Sequence, residues 1–378
     1  METKADVVIV GGGIAGLSAL ARLAERGVRA VLVEREPWLA GHASGRNAAI
    51  WRPLEHDETT ATLGAASDAW LQLNLGAAPI ERVGLMLAAG REDELAPLAA
   101  CARRDSVACE LLRGPAVQER APVLAGGDVG AALFVPSGGV LDTHAVLTGL
   151  ASYARARGGE LATASTVRAL ELEGGRIGRV VLDGERSIRC GAVVLAAGAW
   201  NTELAAPLGS RVVLEPIRRH LVQLDTKALP RGEPVIWRVG SPAEEVYFRA
   251  ESGGVLASPC DAVLAPPGMP ATDPAAAELL ARKLARTAPV LESSRVRRAW
   301  ACLRTFAADR ELVVGEDPAV PGLHWLGGLG GRGMAVAVAA AGELASGMVG
   351  APGALAPALS PARLSEWQEA TARIPPNT

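Results

Sequence analysis

The first 34 residues limit most strongly what this chain can fold into. An apolar run, Val7–Val10, leads into a glycine-rich turn and a stretch of helical periodicity, and a second apolar run then ends on Glu34. This order predicts a strand, turn, helix and strand of the dinucleotide-binding type. In such a turn Gly11 permits the sharp bend, Gly13 lets the backbone approach a pyrophosphate, and Gly16 lets the helix pack closely on the strand. The segment therefore predicts a Rossmann-type nucleotide site.

Two further features of this unit concern the ligand. The predicted helix opens at Ile14 and Ala15, where free amides and the partial positive charge of a helix N-terminus would hold phosphate groups. Glu34 lies at the distance along the chain that is expected of a ribose ligand. Both features belong to the adenosine diphosphate half that NAD and FAD share, so they do not distinguish the two cofactors.

Two later segments favour FAD. Residues 41–49 are small and polar and directly follow the ribose-binding strand, where an extended flavin would continue. Residues 327–335 are rich in glycine and open another helix, whose free amides would stabilise negative charge at the flavin N1 and C2 carbonyl. Together the two segments predict that the bound dinucleotide is FAD.

The composition argues against several other classes of function. The net charge is -3, with acidic and basic residues mixed along the chain, so no basic surface for nucleic acid is predicted. Charged residues and glycine clusters interrupt the apolar stretches, so neither a membrane span nor a signal peptide is expected. The five cysteines lack CxxC spacing, which argues against disulfides and a metal site and favours the cytoplasm.

Alternating helical and strand-like patterns indicate an α/β or α+β fold. Residues 192–198 are apolar up to a terminal glycine, as in a central parallel strand whose end meets a ligand. Between residues 212 and 259 the alternation predicts an antiparallel sheet, and residues 352–378 are predicted to be a loosely held tail. Helices are predicted over residues 57–75, 92–104, 142–157, 275–287 and 338–348.

Six segments occur in an order that is far more specific than one glycine motif. They are residues 7–35, 44–49, 193–200, 247–249, 300–304 and 330–334. With these segments the chain resembles the FAD-dependent D-amino-acid oxidase superfamily, in its branch of glycine oxidases, sarcosine oxidases and D-amino-acid dehydrogenases. The D-arginine dehydrogenases are the group that it resembles most.

The resemblance implies an architecture and a set of cofactor contacts. A Rossmann-type FAD-binding domain of the glutathione-reductase kind would comprise residues 1–82, 141–210 and 300–378. An interleaved substrate-binding domain with an antiparallel sheet would comprise residues 83–140 and 211–299. The implied FAD-binding residues are Gly11, Gly13, Ile14, Ala15, Gly16, Glu34, Arg35, Ala43, Ser44, Arg46, Asn47, Ala48, Ala49, Val167, Ala197, Gly198, Trp200, Gly330, Gly331, Arg332, Gly333 and Met334.

The resemblance also implies how a substrate would be held. Arg304 would bind the substrate carboxylate, which suits a planar guanidinium that stays charged when buried. Tyr247 would donate a hydrogen bond to the same carboxylate, and Arg219 matches a substrate-contacting arginine. The alternatives are an ion-pairing Arg304, a core Tyr247 with a satisfied hydroxyl, and an exposed pair of Arg218 and Arg219 on an edge strand.

The reaction implied by the family is hydride transfer from the carbon that bears the amine to flavin N5. The resulting imine would hydrolyse to an oxo-acid and ammonia, and no acid–base pair is strictly required. His220 and His56 are therefore weak candidates.

Cys302 stands where sarcosine oxidases carry the cysteine linked to flavin, and the alternative is a buried, inert thiol. The electron acceptor would be oxygen, a quinone or an electron carrier.

Three alternatives to a small amino acid remain open at this point. The first is a secondary-amine substrate of the sarcosine kind or a biosynthetic tailoring step, the second a 2-hydroxy acid, and the third a non-catalytic FAD-binding module. Residues 50–56 depart from the D-arginine dehydrogenase pattern, because Ile50 and Arg52 replace the His and Tyr expected over the flavin. This departure predicts a pocket of different polarity.

Overall fold

Apolar strands from widely separated parts of the chain build the sheet that organises the molecule. The computed structural model describes residues 2–76 and 79–364. In this part of the chain the helices are α1 Ile14–Ala24, α2 Glu58–Leu75, α3 Ala96–Arg104, α4 Pro115–Arg120, α5 Thr143–Arg155, α6 Asn201–Ala205, α7 Pro274–Thr287, α8 Gly333–Met348 and α9 Ala356–Leu359.

The strands are short except for two. They are β1 Glu2–Lys4, β2 Val7–Val10, β3 Ala30–Val33, β4 Ile50–Trp51, β5 Ile80–Glu81, β6 Leu85–Ala89, β7 Glu110–Arg113, β8 Ala131–Val135, β9 Gly139–Leu141, β10 Glu160–Ala162, β11 Val167–Glu173, β12 Arg176–Leu182, β13 Ser187–Arg189, β14 Ala192–Leu195, β15 Glu215–Asp225, β16 Val235–Arg238, β17 Val246–Glu251, β18 Gly254–Ser258, β19 Val263–Leu264, β20 Arg295–Phe306, β21 Val313–Glu316 and β22 Leu323–Gly327.

The first large sheet has six strands in the order β10-β3-β2-β14-β22-β21. All its pairs are parallel except β21 with β22. Ile9 packs in the cluster that contains residues of α1, α5 and α8, whereas Val8 faces a cluster with residues of β11, β12 and β13. The strands are apolar on both faces because both faces are covered. The prediction of a central parallel strand at residues 192–198 is confirmed by β14.

The second large sheet has nine strands and takes its strands from two stretches of chain. Its order is β19-β15-β18-β17-β16-β6-β8-β7, and β20 pairs with β15. The pairs are antiparallel apart from β16 with β6, which align in parallel from Val235 and Leu85 onward. Helix α7 covers one face, where Leu280 and Leu284 pack with Phe248. Strand β20 runs across residue 300, where the expected substrate-binding segment 211–299 ends and the expected FAD-binding segment 300–378 begins.

Two predicted elements differ from the structure. Helix α8 begins at Gly333, five residues before the predicted start at 338, because Met334 and the three residues after it continue the helix back to the end of the glycine-rich loop. Residues 352–364 are not a loose tail: Leu359 and Leu364 are buried, and Arg363 forms an ion pair of 2.7 Å with Asp309. The rest of that prediction, residues 365–378, lies outside the described residues. Among the described residues no helix has the length and hydropathy needed to cross a bilayer.

Candidate cofactor and substrate site

A cleft of about 720 Å³ opens at the carboxyl ends of β2, β3, β14 and β22 and continues to the nine-stranded sheet. Ligand sites of open α/β sheets lie at this edge of the strands. The cleft is lined by each of the predicted cofactor residues except Gly16, and by Arg219, Tyr247, Cys302 and Arg304. Gly16 lies beneath it, where a Cβ atom would stand 1.9 Å from the Gly11 carbonyl oxygen. The structure therefore brings the predicted residues to one site.

The nucleotide end of the cleft is formed by the glycine turn. Gly11 has a φ of +111°, and a Cβ atom there would lie 2.5 Å from the carbonyl oxygen of Ala196. Helix α1 has no side-chain cap of its own, and the Ser44 hydroxyl instead accepts a hydrogen bond of 2.9 Å from the Ile14 amide. Gly11 and Gly13 line the cleft next to this helix N-terminus, which fits the pyrophosphate of FAD, although the Ile14 amide is already engaged by Ser44.

Glu34 is 8% exposed at the end of β3. One oxygen of its carboxylate accepts a hydrogen bond of 2.6 Å from the Gly12 amide, and the other accepts one of 2.8 Å from the Glu36 amide. Both bonds orient the carboxylate at the edge of the cleft, where it fits the ribose. Nearby, the Arg35 guanidinium lies 4.5 Å from the Trp200 ring centre.

The segment that carries residues 46–49 is fixed by side chains from distant strands. The Arg249 Nε donates to the Ala48 carbonyl at 2.6 Å, and the Trp300 indole donates to the Arg46 carbonyl at 3.0 Å. Within the segment, Asn47 donates to the Ser44 carbonyl at 2.6 Å and accepts from the Ala49 amide at 2.7 Å. These contacts fix an irregular backbone that lines the cleft, which fits the flavin half of the cofactor.

The N-terminus of α8 closes the other side of the cleft. Glycine is required there for close packing: a Cβ atom on Gly330 would lie 2.7 Å from the Phe306 ring, and one on Gly331 would lie 2.8 Å from Nη1 of Arg304. Arg332 lines the cleft but donates to the Thr60 hydroxyl at 2.9 Å and to the Arg310 carbonyl at 3.1 Å. Its side chain therefore joins the start of α8 to α2.

Arg304 and Tyr247 meet in the part of the cleft formed by the nine-stranded sheet. Nη2 of Arg304 lies 3.1 Å from the Tyr247 hydroxyl, and Arg304 forms no ion pair with any carboxylate of the described residues. Burial acts to lower the pKa of Arg304, but Tyr247 and Cys302, which ionise only at high pH, act to raise it above its usual value. A positive charge without a counter-ion therefore faces the cleft, whereas the alternative of an ion-paired Arg304 is wrong.

Arg219 and Cys302 lie directly opposite each other on β15 and β20. Arg219 donates from Nε to the Asp261 carbonyl at 3.0 Å and is partly buried. Strand β15 has paired neighbours on both sides, so the alternative of an exposed edge-strand pair is wrong. Burial raises the pKa of the Cys302 thiol, although Arg304 acts to lower it. Cys302 is therefore a protonated thiol at neutral pH.

The two candidate histidines differ in their surroundings. His220 is fully buried, its Nδ1 lies 2.7 Å from the Asp261 carboxylate, and its Nε2 accepts a hydrogen bond of 2.9 Å from the Asp273 amide. Both ring nitrogens are thus occupied by protein groups. His56 lies at the rim of the cleft and is exposed.

A polar wall lies beside Tyr247, and of its members only Arg52 was expected in the pocket from the sequence. It consists of Arg52, Glu55, Trp237 and Glu245, all of which line the cleft. Arg52 lies 4.6 Å from the Trp237 ring centre, and the Trp237 indole donates to Glu245 at 3.0 Å. Glu245 lies in the turn just before β17, so no strand alternation could have placed it beside Tyr247 from the sequence.

Comparisons with known proteins agree with this site. The family model for FAD dependent oxidoreductases, DAO, matches residues 6–346. The monomeric sarcosine oxidase of Bacillus sp. (strain B-0618) is 24% identical over 229 residues, 58% of this chain and 57% of that protein. The peroxisomal sarcosine oxidase of Homo sapiens is 28% identical over 220 residues, 56% of this chain and 55% of that protein. The chain thus matches little more than half the length of these relatives.

A solved structure extends the likeness of the fold over the whole chain. The crystal structure of L-proline dehydrogenase from P. horikoshii aligns with a TM-score of 0.87 at 20% identity, and covers 97% of this chain and 99% of that one. The glycine turn, the fixed segment at residues 46–49 and the start of α8 provide a cleft that suits FAD. With a family model that matches most of its length, the chain belongs to the DAO family of FAD-dependent oxidoreductases, and FAD is its cofactor.

Proposed function

We propose that the protein oxidises the C–N bond of a small amino acid that keeps a free carboxylate, a D-amino acid or a glycine-like compound. The observation that carries this proposal is the Arg304 guanidinium, which faces the cleft without a carboxylate partner among the described residues. A partly buried charge without a counter-ion is costly unless a ligand supplies one. A substrate carboxylate would bind the guanidinium bidentately.

In this proposal each side chain has a limited task. Arg304 holds the carboxylate and Tyr247 donates its hydroxyl hydrogen to the same group, which together orient the α-carbon toward the flavin. The chemistry that FAD supplies when bound is acceptance of a hydride, and hydrolysis of the resulting imine gives the oxo-acid and ammonia. The chain need only keep the amine unprotonated and limit access of water.

The competing functions make different demands on the site. A 2-hydroxy acid would need a base near its hydroxyl, whereas His220 has both ring nitrogens engaged and His56 is exposed at the rim. Oxidation of a secondary amine is the stronger alternative, because the two curated relatives described above are sarcosine oxidases. The likeness to D-arginine dehydrogenases, the division into domains and the individual contacts to FAD stay predictions.

Two further parts of the proposal concern the setting of the reaction. The five cysteines are all free thiols, which is what a reducing compartment would maintain, so the cytoplasm is the proposed location. Oxygen, a quinone or an electron carrier would reoxidise the flavin.

The decisive experiment is an anaerobic stopped-flow screen of the purified yellow protein. It compares D- and L-amino acids, N-methylated amines and 2-hydroxy acids by the loss of the flavin absorbance band. We expect bleaching by amino acids, and we expect Arg304→Ala to weaken apparent binding of carboxylate substrates by about 100-fold, as for loss of a charge-assisted hydrogen-bonded pair. Arg304→Lys should restore only part of it because lysine cannot bind bidentately.

A matched control is Arg295→Ala, which removes an exposed arginine from the start of the same strand. It should leave binding unchanged. If Arg304→Ala binds carboxylate substrates as tightly as the wild type, the assignment of the substrate carboxylate is wrong. Bleaching by hydroxy acids alone would favour the competing dehydrogenase.

A further inference from the structure

A proline-rich segment, the strap of residues 265–272, forms part of the wall of the cleft. We propose that His220 is a positioning residue that fixes both ends of the strap, and that the fixed strap limits the access of substrate and solvent to the flavin. His220 is fully buried, and the proposed reaction makes no use of it. The evidence comes from the exposure of the strap, its hydrogen bonds and its place in the nine-stranded sheet.

The strap separates the cleft from the solvent. Gly268, Met269 and Pro270 line the cleft, and Met269 is at the same time 54% exposed. A side chain that borders both the cleft and the solvent stands at the rim of the opening. Displacement of the strap would therefore widen the opening.

The strap is held only near its ends. Ala265 donates to the Pro216 carbonyl at 3.1 Å, but residues 266–272 form no hydrogen bond with any other described residue. Three prolines in the strap restrict its backbone torsions instead. A stiff segment without lateral hydrogen bonds takes its position from the residues at its two ends.

His220 contacts the chain at both ends of the strap. Before the strap, the Asp261 carboxylate accepts hydrogen bonds from the His220 amide at 2.8 Å and from its Nδ1 at 2.7 Å. After the strap, the Asp273 amide donates to His220 Nε2 at 2.9 Å. Because Nε2 accepts this bond, the ring proton lies on Nδ1 and is donated to Asp261. One side chain thus joins the two ends.

The residues before His220 on β15 reinforce both contacts. Arg219 lines the cleft, and its Nε donates to the Asp261 carbonyl at 3.0 Å. Arg218 does not line the cleft, and it forms an ion pair of 3.0 Å with Asp273. Three consecutive residues of one strand therefore hold the strap, and one of them is part of the cleft wall itself.

The register of the sheet places the start of the strap near Arg304. Leu264, the residue before the strap, pairs with Ile217, and Ile217 pairs with Arg304 on its other side. Two strand spacings of about 4.8 Å therefore separate the backbone of Leu264 from that of Arg304. Since Arg304 is the proposed site of the substrate carboxylate, the strap lies where it can control entry to the substrate end of the cleft.

The experiment measures how fast sodium dithionite reduces the flavin of the purified holoenzyme under anaerobic conditions. His220→Asn keeps an amide nitrogen near the position of Nδ1 and removes the acceptor for Asp273. We expect reduction to be about 2- to 10-fold faster in this variant, as for the loss of one hydrogen bond that keeps the opening narrow. Arg218→Gln removes the ion pair at the same end and should change the rate in the same direction.

The control for His220→Asn is Gln223→Leu. Gln223 is another buried polar residue of β15, and it is bonded to Arg298 and Ser252 and not to the strap. It should lower the thermal stability and leave the rate of reduction unchanged. An equal increase of the rate in Gln223→Leu would mean that general loosening of the fold, and not the strap, admits the reagent.

Met269→Ala tests the strap without a change in the buried residues. It should also speed the reduction, and in the double variant with His220→Asn the two effects should not multiply, because both act on one opening. Leu264→Ala is its control, because Leu264 is 66% exposed beside the strap and does not line the cleft.

Wild-type rates in both His220→Asn and Met269→Ala would overturn the proposal. If His220→Asn does not fold, Arg218→Gln and Met269→Ala decide the question in the same way. Dithionite needs no substrate, so the result is independent of which amine the protein oxidises, and failure of the proposed function would leave it unaffected.

Discussion

His324 lies partly buried on β22, where burial lowers the pKa of its imidazole and Glu316 acts in the opposite direction. The folded protein therefore favours the neutral ring. Below about pH 6.5, the ordinary value for histidine, the unfolded chain binds a proton that the folded chain takes up only at lower pH. The contribution of His324 to the free energy of unfolding is therefore complete above pH 6.5 and is lost as the pH falls.

We expect His324→Gln to reduce that acid sensitivity. The measurement is urea unfolding of the holoenzyme at pH values above and below 6.5. The difference in the free energy of unfolding between the two conditions should be smaller in the variant than in the wild type. An unchanged difference would mean that other groups cause the acid sensitivity.

At the residue scale, the sequence allowed the prediction of side chains that belong to recurring motifs. Arg304 and Tyr247 were named from a family pattern, and they do lie 3.1 Å apart. Glu245, which lines the cleft, was not named, because the charge around its carboxylate depends on which partners Arg52 and Lys283 have. That depends on Glu55 and on three backbone carbonyls contributed by the fold. Such local charge balance becomes visible only in three dimensions.

At the scale of elements, helices α1 and α2 offer a matched pair of glycine substitutions. Gly16→Ala would place a Cβ atom 1.9 Å from the backbone oxygen of Gly11, which cannot move without distorting the nucleotide turn. We expect a loss of stability of about 1 to 3 kcal/mol or more, and release of FAD on gel filtration. Gly64→Ala in α2 meets no other atom within 4 Å and should stabilise the protein by about 0.5 to 1 kcal/mol.

Thermal unfolding and the ratio of flavin to protein absorbance measure both effects. Full retention of FAD by Gly16→Ala would show that the turn tolerates a displaced helix. A loss of stability in Gly64→Ala would show that this partly buried helical glycine does not behave as propensity predicts.

The helices and strands themselves were predicted most reliably where the apolar pattern was long and regular. Strand β14 illustrates this, because its apolar pattern is uninterrupted. Helix α2 buries Thr60 and Ser67 as well as leucines, and its start is marked instead by Asp57, which caps it through the amides of Thr59 and Thr60. The start of α8 was predicted too late, because Gly333 directly follows a glycine-rich loop and the small residues after it give little periodicity. The pairing of β6 with β16 has no local signal, since their residues are about 150 positions apart in the chain.

At the scale of the whole molecule, the reactivity of the five cysteines tests whether FAD is bound covalently. Cys109 is exposed, Cys101 is partly exposed, and the remaining three are buried. Burial raises the pKa of Cys190 and of Cys260 to about 12 and also raises that of Cys302, so these thiols are poor nucleophiles in the native protein.

We therefore expect a thiol reagent to modify Cys109 rapidly in the native holoenzyme and to leave the buried three unmodified. After unfolding, five thiols should react if FAD is bound without a covalent bond. Mass spectrometry of the labelled chain counts them, and Cys109→Ser serves as the control that removes the rapid phase. Four reactive thiols, with flavin retained on the peptide that contains Cys302, would instead establish a thioether.

The interleaving of the two sheets has a consequence for synthesis on the ribosome. Strand β14 lies between β2 and β22, and the nine-stranded sheet joins β6 to strands that end at β20. The six-stranded sheet cannot be completed until the chain beyond residue 327 has left the exit tunnel, and the nine-stranded sheet cannot be completed until the chain beyond residue 306 has done so. Until then, apolar strand edges remain unpaired and prone to association with other chains. We therefore expect the nascent protein to expose unpaired strand edges for longer than one whose domains follow each other along the chain.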